Sequence, residues 1–136
     1  IQVSTPYAYK RYKEQFGNSY LENNRDFESK RNIIRTTDWS DQSLLNSRKE
    51  IQNDLQKIVR PMTPEVEKSL KILSRLPYSR LVSMSGSGPS CFALFKNYDE
   101  AKKVLKQHIN DFEIAGLSAW ACSMKSNGVQ LGNEFT

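Results

Sequence analysis

Only two cysteines, Cys91 and Cys122, and one histidine, His108, occur in the 136-residue sequence. Two thiols far apart in the chain make neither a disulfide framework nor, with one imidazole, a structural zinc site. A single histidine also leaves just one candidate base for a Ser-His-Asp triad. Long apolar runs are absent. The longest, Cys91-Phe92-Ala93-Leu94-Phe95, is far short of the ~18–20 residues that a bilayer demands. The first four residues lack both the charged start and the apolar stretch of a secretory signal. No Asn-x-Ser/Thr acceptor occurs. The expected compartment is the reducing cytoplasm, with no membrane association. The chain opens on Ile1, not on Met, which predicts a piece cut from something longer or a processed start.

What remains is one domain's worth of chain, 38% apolar, with a formal net charge of +5. Much of the positive charge sits early, at Lys10, Arg11, Lys13, Arg25, Lys30, Arg31 and Arg35. This suits a phosphorylated ligand or weak nucleic-acid contact, and equally an ordinary solvated surface.

Thr5-Pro6 reads as a helix start, with Thr5 as the cap and proline at the first helical position. Ala8, Tyr9, Tyr12 and Phe16 follow at helical spacing, and Gly17 reads as the stop. Residues 17–37 are polar and without a sustained period, which predicts a long mobile loop. Asp38 opens an expected short helix carrying Leu44 and Leu45. The next helix is expected over 49–59 and is ended by Pro61. Thr63-Pro64-Glu65 repeats the cap-proline signature ahead of the stripe Val66, Leu70, Leu73 and Leu76. Glu65 and Glu67 fall in the first turn, where the helix dipole favours negative charge.

Residues 80–85 and 90–95 read as strands around a glycine-rich connection, Ser85-Gly86-Ser87-Gly88-Pro89-Ser90. Asn97 with Glu100 forms a capping box for a helix that buries Ala101, Val104, Leu105, His108 and Ile109. Residues 117–124 predict a last strand, and 129–131 extend the pairing after an Asn127-Gly128 turn. The order helices, strand, strand, helix, strand predicts an α+β fold with an antiparallel sheet covered on one face. A ferredoxin-like arrangement needs one more strand ahead of Thr5, where only residues 1–4 remain, so its first strand is largely missing. The remaining strands should then leave an unpaired edge or gap.

Three segments could carry chemistry. The glycine loop gives the backbone freedom to turn and lets other groups approach closely. It lacks the Gly-Lys-Ser/Thr of a Walker loop, and a strand follows it where a dinucleotide fold would place a helix. Thr5 and Tyr9 could offer a hydroxyl and a stacking face, or could merely cap and pack. Asn53-Asp54-Leu55 reads more readily as a helix cap or a solvated face than as a catalytic Asp54. His108 reads as a boundary residue on its helix, and Cys91 and Cys122 as inert core thiols on strands.

Together, Ser4-Thr5-Pro6-x-x-Tyr9, then Asn53-Asp54-Leu55, then residues 84–95 from Met84 through Gly86-Ser87-Gly88-Pro89 to Phe95, resemble the C-terminal half of the GHMP kinases. These are the galacto-, homoserine, mevalonate and phosphomevalonate kinases and their relatives. The combination is most similar to the branch that acts on a cytidine diphosphate-linked methylerythritol, a step toward isoprenoid precursors outside the mevalonate route. The resemblance implies ATP and Mg²⁺ as cofactors and an N-terminal lobe that carries the phosphate loop and the catalytic aspartate and lysine. This chain then holds no catalytic residue and no metal ligand, and is inactive alone. The resemblance implies substrate-binding positions at Thr5 and at Tyr9, which stacks on cytosine. It also implies a site-shaping role for the motif Ser85, Gly86, Ser87 and Gly88. The alternatives are a free-standing RNA- or ligand-binding module, or the lobe of a homoserine- or mevalonate-type kinase. An RNA role is disfavoured because the strands lack the aromatic-basic pattern of an RNA-recognition sheet.

Overall fold

The computed structural model describes residues 2–21, 24–36 and 53–124. They form helices α1 (Thr5–Leu21), α2 (Asn24–Thr36), α3 (Gln56–Met62) and α4 (Pro64–Arg75), strands β1 (Leu81–Met84) and β2 (Cys91–Leu94), and helix α5 (Tyr98–Ile114). The fold is α+β, and β1 and β2 pair antiparallel with Leu81 opposite Leu94 and Met84 opposite Cys91.

Helix α1 begins one residue earlier than the cap-proline pattern suggests. The Ser4 carbonyl accepts the Ala8 N–H at 3.0 Å and the Ser4 hydroxyl accepts the Tyr7 N–H at 3.4 Å. Ser4 is therefore the cap, and Pro6 occupies the second helical position, whose missing N–H has no intrahelical partner to lose. Thr5 is left without a capping duty. Gly17 does not stop the helix, which continues to Leu21. One interior glycine costs about 1 kcal/mol relative to alanine. That is too little to break a helix anchored by buried Ala8 and by the Tyr12–Phe16 ring pair, whose centroids are 5.2 Å apart.

The loop expected over 17–37 is instead helical over 17–21 and 24–36. Asp26 in the first turn and Arg35 in the last complement the dipole of α2, and Arg31 pairs with Glu28 at 3.4 Å. Of the helix expected over 49–59, the described part begins at Gln56 and runs past Pro61 to Met62. Pro61 lies in the last turn, where its fixed φ is helical and only one hydrogen bond is forgone. The expected helix after Asp38 and the pairing at 129–131 lie outside the described residues.

Helix α4 is the shared wall of two clusters. Its Val66 and Leu70 pack with Ala8, Leu55, Val59 and Met84, while Ile72 and Leu73 face Leu76, Val104 and Phe112. Val66 and Met84 are essentially inaccessible to solvent. Thr63 is the extended cap of α4, with Pro64 at its first position and Glu65 and Glu67 in its first turn. On α5, the Asn97 side chain accepts the Glu100 N–H at 2.9 Å, and Glu100 reaches back to the Lys96 N–H at 2.9 Å.

The strand expected over 117–124 is not formed among the described residues. Leu117, Ala119 and Ala121 are half-buried while Ser118, Trp120 and Cys122 are exposed, the alternation of an extended chain that has no ladder partner. A cleft of ≈ 630 Å³ separates this segment from β2, lined by Cys91, Ala93, Phe95, Leu117 and Ala119 among others. Ser85 donates to Ser90 O at 2.8 Å. With the observed register, Phe92 and Leu94 turn their backbone groups to β1, and those of Cys91 and Ala93 turn to the cleft. Among the described residues the sheet therefore keeps an unpaired outer edge.

Candidate functional site

The glycine loop closes tightly between β1 and β2. Gly88 N–H donates to Ser85 O at 2.9 Å, and Gly86 and Gly88 adopt φ of +53° and +81°, the left-handed region that favours glycine. Gly88 has a second reason to be glycine. A Cβ there would lie 2.8 Å from Met84 Sδ, so the loop sits directly on the first apolar cluster. Gly86 meets nothing within 4 Å and faces open space.

Ser87, at the loop's tip, is 2.7 Å from the Thr5 hydroxyl. One hydroxyl hydrogen serves this bond and the other stays available to a ligand, along with acceptor lone pairs on both oxygens. Helix α1 thus meets the glycine loop through the residue released from capping. Tyr9 is one helical turn along from Thr5, so the two lie on neighbouring positions of one helix side. Its ring is 59% exposed and Tyr7 is 47% exposed, whereas Ala8 between them is 1% exposed. The alanine is the anchor, and the phenols flank it outward.

The third segment does more than the sequence suggests. Asn53 Oδ1 accepts the Leu55 N–H at 3.0 Å, the capping role expected of it. Its Nδ2 also donates to Met84 O and to Gly86 O, each at 2.7 Å. Gln56 Oε1 accepts the Met84 N–H at 2.7 Å and lies 3.4 Å from the Ser83 hydroxyl. Gln56 carried no signal in the sequence, because its role depends on the outward-facing peptide groups of Met84. Asp54 pairs with Lys57 at 3.3 Å on the surface.

The other flagged residues stand apart from this cluster. His108 is half-buried on α5 and 3.1 Å from Asp111. Cys91 is half-buried, and burial pushes its thiol up, away from the reactive thiolate. Cys122 is exposed, not in the core. The expected strand pairing is not formed among the described residues, and Cys122 falls on the outward side of the alternation. Of the early basic residues, Lys10 and Arg11 pair with Glu14 at 4.0 and 3.3 Å.

Chemically, Thr5, Ser85 and Ser87 offer hydroxyls and Tyr9 offers a flat apolar face. Hydroxyls beside a flat exposed face are the chemistry that suits a polar aromatic ligand. No group of three or more His, Cys, Asp or Glu among those residues could hold a metal ion. No helix among them is long and apolar enough to cross a membrane.

Comparison with known proteins accords with the ordered motifs. The profile described as GHMP kinases C terminal matches residues 23–114. A Prochlorococcus marinus (strain NATL2A) protein named 4-diphosphocytidyl-2-C-methyl-D-erythritol kinase is 79% identical over the whole chain, which covers 43% of that relative. Proteins of the same name from Prochlorococcus marinus (strain MIT 9303) and Synechococcus sp. (strain CC9902) are 45% and 41% identical over 96% and 98% of the chain, which covers 41% and 43% of their lengths. The chain thus spans less than half the length of the curated relatives it matches. No solved structure matches it significantly.

Proposed function

The chain belongs to the GHMP kinase C-terminal family, and from that membership we propose that it is the substrate-side lobe of a kinase that phosphorylates 4-diphosphocytidyl-2-C-methyl-D-erythritol on its 2-hydroxyl. The reaction belongs to the non-mevalonate route to isoprenoid precursors, in the cytoplasm. The observation that carries the reading is the exposed Tyr9 ring one turn from a Thr5 hydroxyl that is tied to the glycine loop. A cytosine needs a flat partner, and an exposed phenol on a rigid helix is one. Thr5, Ser87 and Tyr9 hold and orient the nucleoside end of the substrate, and Gly86 and Gly88 allow close approach of the second lobe.

ATP supplies the phosphoryl group when bound, with Mg²⁺ offsetting its charge. None of the described residues is assigned to Mg²⁺ or to proton transfer, roles that fall to the N-terminal lobe in this reading. Phosphoryl transfer depends mainly on positioning and electrostatics, which suits a site shared between two lobes. The partner is the N-terminal lobe of the same enzyme, and the chain alone should not turn over substrate. The open edge of β2 beside the cleft supports a sheet completed by another part of a longer chain.

The test is Tyr9→Ala in the full-length protein. Stacking of a base on an aromatic contributes ~1–3 kcal/mol, so KM for the cytidine diphosphate alcohol should rise roughly 5- to 150-fold. An unchanged KM removes Tyr9 from the site. Protection of the protein by a cytidine compound, and not by homoserine or mevalonate, separates this substrate from the others in the superfamily.

A further inference from the structure

The glycine loop is gripped from outside the sheet. With Ser85 bonded to Ser90, the register turns the N–H and C=O of Met84 away from β2. A neighbouring strand would normally answer both. Here two side chains of one turn do so: Gln56 Oε1 takes the Met84 N–H, and Asn53 Nδ2 gives a hydrogen to the Met84 carbonyl, both at 2.7 Å. The second Asn53 hydrogen goes to Gly86 O at 2.7 Å, and its carbonyl takes the Leu55 N–H at 3.0 Å. Every polar atom of the carboxamide is thus engaged, and its plane is set by three bonds.

Fixing the Gly86 carbonyl fixes the peptide plane that leads into Ser87. Gly86 has a positive φ and open space where a Cβ would stand, so its carbonyl is held by Asn53 and by the turn bond from Gly88 N–H to Ser85 O and not by side-chain packing. The Ser87 hydroxyl in turn meets Thr5 at 2.7 Å. A continuous path therefore runs from Asn53 through Gly86 and Ser87 to Thr5 and the helix that carries Tyr9.

We infer that Asn53 is a positioning residue for substrate: its carboxamide sets the place of the Ser87 hydroxyl, and through it that of Thr5. The inference rests on the substrate-side reading above and adds a residue that acts through its bond to the Gly86 carbonyl. Only a group with two hydrogens and one acceptor fits at this point. An aspartate has the same shape but brings a carboxylate oxygen against two carbonyl oxygens. Gln56 serves as the internal contrast. Its bonds go to Met84 and Ser83, behind the loop, and not to Gly86 or Ser87.

The experiment is a double-mutant cycle in the full-length protein, read as KM for the cytidine diphosphate alcohol, with melting temperature followed in parallel. Asn53→Asp should raise KM about tenfold, the size expected when a hydrogen bond to ligand is misaligned. Ser87→Ala should raise it as well. The double variant should go little beyond Asn53→Asp alone, because both act through one hydroxyl. Gln56→Ala should lower the melting temperature without sharing the rise in KM. Multiplicative effects in the cycle, or an Asn53→Asp variant that melts early with unchanged KM, would overturn the inference. If Asn53→Asp does not fold, Asn53→Ser replaces it in the cycle, since it adds no charge and keeps one donor. Tyr9→Ala is the reference arm. An unchanged KM there with a sub-multiplicative cycle defeats the placement of Tyr9 and supports the coupling. A raised KM there with a multiplicative cycle supports Tyr9 and defeats the coupling.

Discussion

The hydroxyls of Thr5 and Ser87 lie 2.7 Å apart, although 82 positions separate them in the chain. This bond joins the start of α1 to the tip of the glycine loop. Both groups are exposed, so the net contribution to stability is small, about 0.5–1.5 kcal/mol. Thr5→Val keeps the shape and removes the hydroxyl. It should lower stability by no more than that amount in urea unfolding, while weakening substrate binding in the full-length protein. A loss of several kcal/mol would show that the bond is structural first.

The two loop glycines should differ under substitution. Gly88→Ala places a Cβ 2.8 Å from Met84 Sδ and also forces alanine into φ +81°. Overpacking and left-handed strain each cost about 1–3 kcal/mol, so a loss near 2–5 kcal/mol is expected. Gly86→Ala has the backbone strain alone, at φ +53° with no contact within 4 Å, and should cost about 1–2 kcal/mol. Urea denaturation of both variants decides the order, and equal losses would contradict the packing described at Gly88.

Burial ranks the apolar positions. Val66 is 0% exposed at the centre of the first cluster, whereas Ile114 at the end of α5 is 87% exposed. Val66→Ala removes two carbons from a packed site and should cost about 2–3 kcal/mol, including the cavity. Ile114→Ala should stay within about 0.5 kcal/mol. Thermal melts of the two variants provide the comparison.

Glu67 should contribute an acid-side pH dependence. Hydrogen bonds from Arg60 and then Lys71 pull its carboxyl down to about 2 from an ordinary 4.5. Its folded value is below its unfolded value, so the stabilisation is complete above about pH 4.5 and is lost as pH falls toward 2. Glu67→Gln should flatten the melting temperature over that window and leave its shape near neutrality unchanged. A variant that keeps the full acid-side slope would assign the effect to other carboxylates.

The sheet edge left unpaired among the described residues makes a residue-level prediction. The amides of Phe92 and Leu94 are bonded to β1, whereas those of Cys91 and Ala93 face the cleft. In hydrogen exchange of this chain, Ala93 should exchange faster than its two neighbours. Uniform protection along β2 would mean that a further strand covers the edge.

How much of this was legible beforehand follows from how local each signal is. The glycine connection, the Asn97 cap, the stripe on α4 and the antiparallel pair rest on neighbours within a few residues, and the sequence alone sufficed for them. It also sufficed for the family, because the ordered motifs span most of the chain. Gly17 and residues 17–37 misled, since one glycine lowers helix propensity by about 1 kcal/mol, which the packing of Ala8 and the Tyr12–Phe16 pair offsets in α1. The segment 117–124 has the right alternation but no partner among the described residues, and a strand exists only where another backbone answers its hydrogen bonds.

The sequence by itself determined the α+β class, the glycine turn and the presence of Thr5 and Tyr9 on one helix. Tertiary structure alone decided that Ser4 takes over the cap, that Thr5 therefore reaches Ser87, and that Asn53 and Gln56 answer the outward peptide groups of Met84. The reason is physical. Periodicity encodes which face is buried, but a hydrogen bond between distant side chains depends on where the packed elements finally lie.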